Sequence, residues 1–324
     1  MLRPLNLETA QITQKAENAK PINPQKLKHA GPMGKEWREK AEIFAKHLTE
    51  VFTPHKNTCE LDVENKLANL NKRQEKLTAF TIKEINYVIK QLHPRKAPGP
   101  DNITVQMIRE LSTPGLKILL YILNATLRLE YWPTKYKLAK IIMLLKPAKP
   151  PTDVASYRPI SLLPIISKIL EKLILNRLTR FQNWIPEHQF GFRKEHSTIQ
   201  QCHRLSDSIN RALEEREYCS AVFLDISQAF DKVWHPGLLF KINQTLPPKY
   251  YNILKSYLQQ RQLVVTHNDA TSLPVHMTSG VPQGSVLGAF LYIIYTADTP
   301  KKIQLPSVLL PTIQPSSHVI QIST

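Results

Sequence analysis

Three things are scarce in these 324 residues. Cysteine is the first: Cys59, Cys202 and Cys219 are odd in number and widely spaced, which excludes a disulfide framework and offers no paired-cysteine zinc site. His188, His196, Cys202 and His203 lie close in sequence, but their gaps match no zinc template, so structural roles are expected for them. Long apolar runs are the second. None approaches the roughly 20 residues that cross a bilayer, and the N-terminus lacks the charged-then-apolar layout of a secretion signal. The expected setting is intracellular and reducing, in cytoplasm or nucleus, with no membrane partner.

Negative charge is the third. Lys and Arg number 43 against 26 Asp and Glu, a formal net charge of +17. The excess sits at the front: residues 1–100 hold 18 basic against 11 acidic residues and 101–200 hold 15 against 7, whereas 201–300 balance at 8 each. A basic front favours a polyanion, because Lys and Arg gain affinity for phosphate backbones by releasing condensed counterions. A solvated lysine-rich surface is the bland alternative. After Lys302 no charged residue occurs at all.

What is present is a folded domain's composition. Hydrophobic residues make up 42% and charged residues 21%, which argues against wholesale disorder. The chain divides into a basic leader and helical extension over 1–75, a main body over 76–300, and an uncharged tail over 301–324 expected to lie outside the fold. Trp37, Ala41, Phe44, Ala45, Leu48 and Phe52 share one helical face. Thr81-Ile-Lys-Glu84 makes a capping box for a helix striped by Ile82, Ile85, Val88, Ile89 and Leu92. Asp101 is expected to cap a helix from Ile103, and a further helix runs from Pro114 to about Glu130. Leu138–Leu145 and Arg158–Leu163 read as a hairpin with a proline-rich loop. Helices follow over 165–181 and 198–217. Strands are expected at 263–266 and 273–278, then a glycine-bounded turn, Ser279 to Ser285, entering a helix from about Val286 to Thr296. Helices alternating with hairpins, without a βαβ rhythm, favour an α+β palm over a doubly wound sheet.

Ala221-Val222-Phe223-Leu224 is an apolar run of the kind buried in a sheet, and it delivers Asp225 at its end. Ser227 is placed to cap a helical turn holding Phe230 and Asp231. A carboxylate on a rigid strand end suits nucleotidyl transfer, which uses two divalent metals about 4 Å apart. Taken alone, Asp225 reads first as a strand-ending turn residue.

The segment from Ala221 to His235 resembles the first catalytic motif of non-LTR (LINE-type) retrotransposon reverse transcriptases, closest to those of jockey-like elements. The resemblance continues in order through Lys96 to Asp101, Tyr157-Arg-Pro-Ile-Ser-Leu-Leu163, His188-Gln-Phe-Gly-Phe-Arg193 with His196-Ser-Thr198, and Ser279-Gly-Val-Pro-Gln-Gly-Ser-Val-Leu-Gly288. It covers about residues 36–300. It implies an α+β fold: the fingers and partial palm of a right-hand polymerase, preceded by helices and truncated before the catalytic hairpin. The partners it implies are an RNA template, a DNA primer and deoxynucleoside triphosphates, with Mg2+ as cofactor.

By resemblance, Asp225 is the catalytic carboxylate and, with the Ile226 carbonyl, the first metal ligand. Phe230 is the aromatic that disfavours a 2′-hydroxyl, though its pattern also fits a core Phe. Gln283 and Gly284 form the turn beneath the incoming nucleotide, and Lys146 and Arg158 reach the triphosphate. Ala148 and Ala289 depart from the relatives' usual Gly and Pro. The family's next motif carries paired aspartates, and this chain has no Asp-Asp anywhere. Tyr295-Thr-Ala-Asp298 imitates it but stands about ten residues too early. One aspartate does not hold two hard cations, so catalysis by this chain is expected to be impaired, leaving as the alternative a non-catalytic nucleic-acid-binding remnant.

Overall fold

A computed structural model describes residues 33–55, 60–68, 76–187, 189–218, 220–298, 307–311 and 317–323. The leader before residue 33, Cys59, His188 and Cys219 lie outside the described residues. The apolar face read from Trp37 onward forms α1 (Met33–Val51), followed by α2 (Glu60–Ala68). Helix α3 (Ile82–Gln91) starts at the expected capping box: Thr81 Oγ1 accepts from Glu84 N, and Glu84 Oε2 accepts from Thr81 N. Two orphan amides are satisfied there. Arg177 reinforces this end by donating to Ala79 O and Glu84 while its guanidinium lies 4.3 Å from the Phe80 ring centroid.

The next helix begins later than the sequence suggests. Asp101 Oδ1 accepts from Ile103 N in a local turn, and Thr104 is the cap, so α4 spans Val105–Arg109. Asp and Thr compete here for the same role, and the residue adjacent to the first apolar position prevails. Helix α5 (Thr113–Leu129) follows, capped by Ser112.

Strands β1 (Leu138–Leu145) and β2 (Tyr157–Leu162) form the expected antiparallel hairpin, with Leu144 opposite Arg158. Helices α6 (Ile165–Leu178) and α7 (Thr198–Glu214) come next, then β3 (Ser220–Ile226), α8 (His235–Thr245) and α9 (Tyr251–Leu258). Strand β4 (Arg261–His267) lies parallel to β1 and antiparallel to β5 (Ala270–Thr271) and β6 (Val275–Met277). Helix α10 (Gly288–Thr296) starts two residues later than expected. The architecture is α+β with a mixed sheet.

Two apolar clusters hold it together. Along β1, Ala139, Ile141 and Met143 alternate onto one face and meet Phe44, Ala45, Leu48, Val51 and Phe52 of α1 and its end. The larger cluster packs α3, α5, α6, α8, α9 and α10 together, with Trp132 buried edge-on against Tyr257. Each fully buried Leu, Ile, Val or Phe side chain in these clusters contributes about 1.5–3 kcal/mol.

The uncharged tail, expected outside the fold, supplies β7 (Ser307–Pro311) and β8 (Ser317–Ser323), and β8 pairs antiparallel with β3. Its sequence is rich in Val, Leu and Ile, and β3 offers an unpaired backbone edge that such residues satisfy.

Candidate active site

Segments far apart in sequence meet around the turn from Ser279 to Ser285. After β3, residues 227–232 form consecutive turns rather than a helix, with Asp231 N and Lys232 N both donating to Gln228 O and Gln228 at φ +55°. This geometry turns the Asp231 carboxylate inward, where it is 3% exposed. Gln283 Nε2 donates to both its oxygens, at 3.0 and 3.2 Å. Burial pushes the Asp231 carboxyl up to about 7, against the Gln283 hydrogen bond and the Lys232 charge.

The backbone stitches the same two segments together. Ser279 Oγ donates to Asp231 O (2.9 Å), Gly280 N to Val233 O (2.8 Å) and Val281 N to Phe230 O (2.9 Å). His235 Nε2 lies 2.8 Å from Gly280 O, and burial holds its imidazole below the usual range. Gln283 O then accepts from Ser161 N of β2 at 3.1 Å. Gly284 has φ +98°, and a Cβ there would lie 2.9 Å from Ser161 O. Gly284→Ala is therefore expected to cost about 1–3 kcal/mol, read as a lower urea midpoint, through an unfavourable φ and displacement of the turn from β2.

Helix α1 closes the back of the turn. Phe52 O accepts from Thr278 N, Thr278 Oγ1 and Ser279 N, while Lys232 Nζ donates to Glu50 O (2.9 Å) and Thr53 O (2.8 Å). A lysine at a helix C-terminus is favourably placed against its dipole.

The expected site residues fall into groups. Gln283, Gly284 and Phe230 are brought together: the half-buried Phe230 ring stacks on Tyr292 at 4.5 Å and meets Phe192 edge-on at 5.5 Å. Lys146 and Arg158 share the loop end of the β1–β2 hairpin, where Lys146 N donates to Ser156 O and Lys146 Nζ to Ala155 O. Arg158 is half-buried, and its Nε finds no partner among the described residues. Asp225 and Ile226 end β3. Ile226 is exposed, and the Asp225 side chain lies outside the described part. Across the ladder, the residue opposite Asp225 is His318 of β8. Asp298 follows α10 and is paired with Lys241, as a helix-ending residue would be.

Glu171 was not legible as part of this assembly. It is fully buried on α6, and its Oε2 accepts from Val286 N (2.6 Å) and Leu287 N (3.0 Å), satisfying amides that precede α10. Burial pushes its carboxyl up, opposed by those hydrogen bonds and by Arg261 and Lys168. The available signal was Ser167, Lys168 and Glu171 interleaved with an apolar stripe on a helix that is covered on most of its surface.

The chain is similar in sequence to known proteins. A family profile described as reverse transcriptase (RNA-dependent DNA polymerase) matches residues 146–310. The RNA-directed DNA polymerase from mobile element jockey of Drosophila funebris is 42% identical over 298 residues, 90% of this chain and 32% of the relative. The probable RNA-directed DNA polymerase from transposon X-element of Drosophila melanogaster is 44% identical over 267 residues, 81% of this chain and 29% of the relative. That from transposon BS of the same species is 42% identical over 276 residues, covering 83% and 30%. The chain thus spans about a third of the length of these relatives. With its ordered motifs and this match, the chain belongs to the reverse transcriptase (RNA-dependent DNA polymerase) family, in the type carried by non-LTR retrotransposons.

Proposed function

We propose that this chain is the fingers and partial palm of a retrotransposon reverse transcriptase, that it binds an RNA template with its DNA primer, and that by itself it does not extend the primer. The observation that carries the binding half is Gln283: its carboxamide is fixed on Asp231 and its carbonyl on Ser161, so one turn is locked to the segment after β3 and to the β1–β2 hairpin. The fixed turn, with Gly284 exposed on it, is in this reading the floor beneath the nucleotide. In this reading Phe230, wedged between Phe192 and Tyr292, meets the sugar of a deoxynucleoside triphosphate, and Lys146 and Arg158 take its phosphates as charge-assisted donors. Residues 76–300 form the working unit, with α1 as its support.

The family uses divalent metal ions, and Mg2+ with Asp225 and the Ile226 carbonyl is the first half of that centre in this reading. The residues present do not fit the whole. Two hard cations need several oxygen ligands each. This chain offers one carboxylate at the end of β3, a His at the neighbouring ladder position, and no Asp-Asp in 324 residues. Among the described residues no group of three or more His, Cys, Asp or Glu is placed to hold a metal. The hairpin β7–β8 stands beside Asp225 without acidic residues, and the carboxylates of the catalytic hairpin are not in this chain.

Binding is tested by fluorescence anisotropy of a labelled RNA–DNA primer duplex across a salt series. The expected result is affinity that falls linearly on a log–log plot with salt, with a slope of about −0.7 to −0.9 for each phosphate contacted. No binding at low salt would overturn the reading, whereas binding that is indifferent to Mg2+ favours the non-catalytic remnant.

A further inference from the structure

Beneath the Lys96–Asp101 turn lies a group of cations that the reading above does not use. Lys168 is 2% exposed and sits in the first turn of α6, the end of a helix where a positive charge is disfavoured. That end has no acidic residue in its first turn, and its cap, Pro164, supplies no side-chain hydrogen bond. Among the described residues the Lys168 ammonium makes no hydrogen bond or ion pair. Burial pushes its pKa down to about 7, and Lys96 adds to this against Glu171 and Asp101. Lys96 and Lys172 are held below the usual range by burial, and Lys96 also acts on Lys172. Deeper in, Arg261 is fully buried with Nε and Nη2 unpartnered, and Glu171 is committed to two backbone amides.

Burying an ammonium without a hydrogen-bond partner is unfavourable, and proteins avoid it unless the charge is compensated. Here Lys96, Lys168, Lys172 and Arg261 share the acids Glu171 and Asp101, so the cluster holds more positive than negative charge. Its position says which kind of anion would balance it. A Cβ on Gly99 would lie 2.5 Å from Pro164 N, so the Lys96 turn rests directly on the start of α6. One turn along α6 from Lys168, Glu171 holds the amides that follow the Gln283–Gly284 turn. The cluster therefore flanks the floor of the proposed nucleotide site on the α6 side, away from the hairpin end that carries Lys146 and Arg158.

We infer that Lys168, with Lys96 and Lys172 at its rim, forms a phosphate-binding site beside the Gln283–Gly284 turn. A backbone phosphate of the bound RNA and a phosphate of a free nucleotide share this chemistry. The inference rests on the proposed nucleic-acid binding for its context, and its test separates the two.

The test uses the whole 324-residue chain with Lys168→Met and Lys172→Met, which keep the aliphatic stem and remove the charge. Pyrophosphate is expected to raise the unfolding temperature of the parent chain and to leave that of Lys168→Met unmoved. Without ligand, Lys168→Met is expected to unfold at about the temperature of the parent, since the loss of a buried cation is offset by the loss of its attraction to Glu171. It is nonetheless expected to bind RNA about tenfold more weakly, with a salt slope shallower by about 0.7. A merely structural lysine would lower stability and leave the slope unchanged. Lys172→Met is expected to weaken RNA binding at unchanged stability, and it decides the matter if Lys168→Met fails to fold. Competition of RNA by millimolar dATP in the parent, lost in Lys168→Met, identifies the free nucleotide as the phosphate source, and its absence identifies the RNA backbone. Parent-like pyrophosphate shifts and salt slopes in both variants overturn the site. A parent chain that fails to bind RNA overturns the functional reading, while the pyrophosphate arm still decides the site.

Discussion

Asp231→Asn is expected to stabilise the chain at neutral pH and to flatten its pH dependence. The carboxyl sits at about 7 in the folded protein against an ordinary 3.8, because burial disfavours its charge more than Gln283 and Lys232 favour it. The sign follows from linkage. Below about pH 4 both folded and unfolded states hold the proton, and the contribution is fully present. Between about pH 4 and 7 the unfolded chain releases that proton first, so stability is lost as pH rises, by about 4 kcal/mol in all at 1.36 kcal/mol per unit. Asn carries no such cost and keeps an oxygen for Gln283 Nε2. Unfolding free energies from urea titrations of parent and variant should therefore coincide more closely at pH 5 than at pH 8, with the variant ahead by about a few kcal/mol at the higher. Equal midpoints at pH 8 would show that Asp231 is solvated.

Glu171→Ala is expected to lose about 3–5 kcal/mol, the cost of breaking a buried charged hydrogen-bond centre. The substitution strands Val286 N and Leu287 N at the start of α10 and removes the one buried carboxylate facing Lys168 and Arg261. Glu171→Gln keeps an acceptor for the amides and should lose less, so the pair separates hydrogen bonding from charge. Hydrogen exchange should report the damage at 286–291 before it reaches α3. A loss under about 1 kcal/mol in Glu171→Ala would show that α10 needs no cap from α6.

The sequence was most informative where structure is local. The capping box at Thr81, the β1–β2 hairpin and the apolar face of α1 depend on residues three or four apart or on two strands adjacent in sequence, and the structure has all three, with β2 starting one residue earlier than its pattern suggests. The Asp101 cap failed locally, because Thr104 competes for the same helix start. Contacts between distant segments were not legible. The parallel pairing of β1 with β4 joins strands more than a hundred residues apart, and no pattern within either states its register. The Gln283 carboxamide on Asp231, the Glu171 cap on α10 and the grip of Lys232 on the end of α1 are likewise products of packing. The tail read as extraneous because it is uncharged, yet its β-branched residues pair with the open edge of β3.

Primer extension tests the central claim most directly. The whole chain is mixed with an RNA template, an annealed DNA primer, deoxynucleoside triphosphates and Mg2+ at low salt, and the products are resolved at single-nucleotide length. Retention of the duplex with no lengthened primer is the predicted result, since in the proposed reading Asp225 is the one metal-binding carboxylate of the family that this sequence offers. Template-dependent extension, abolished by Asp225→Asn, would contradict it and would mean that this chain completes the metal site with other ligands.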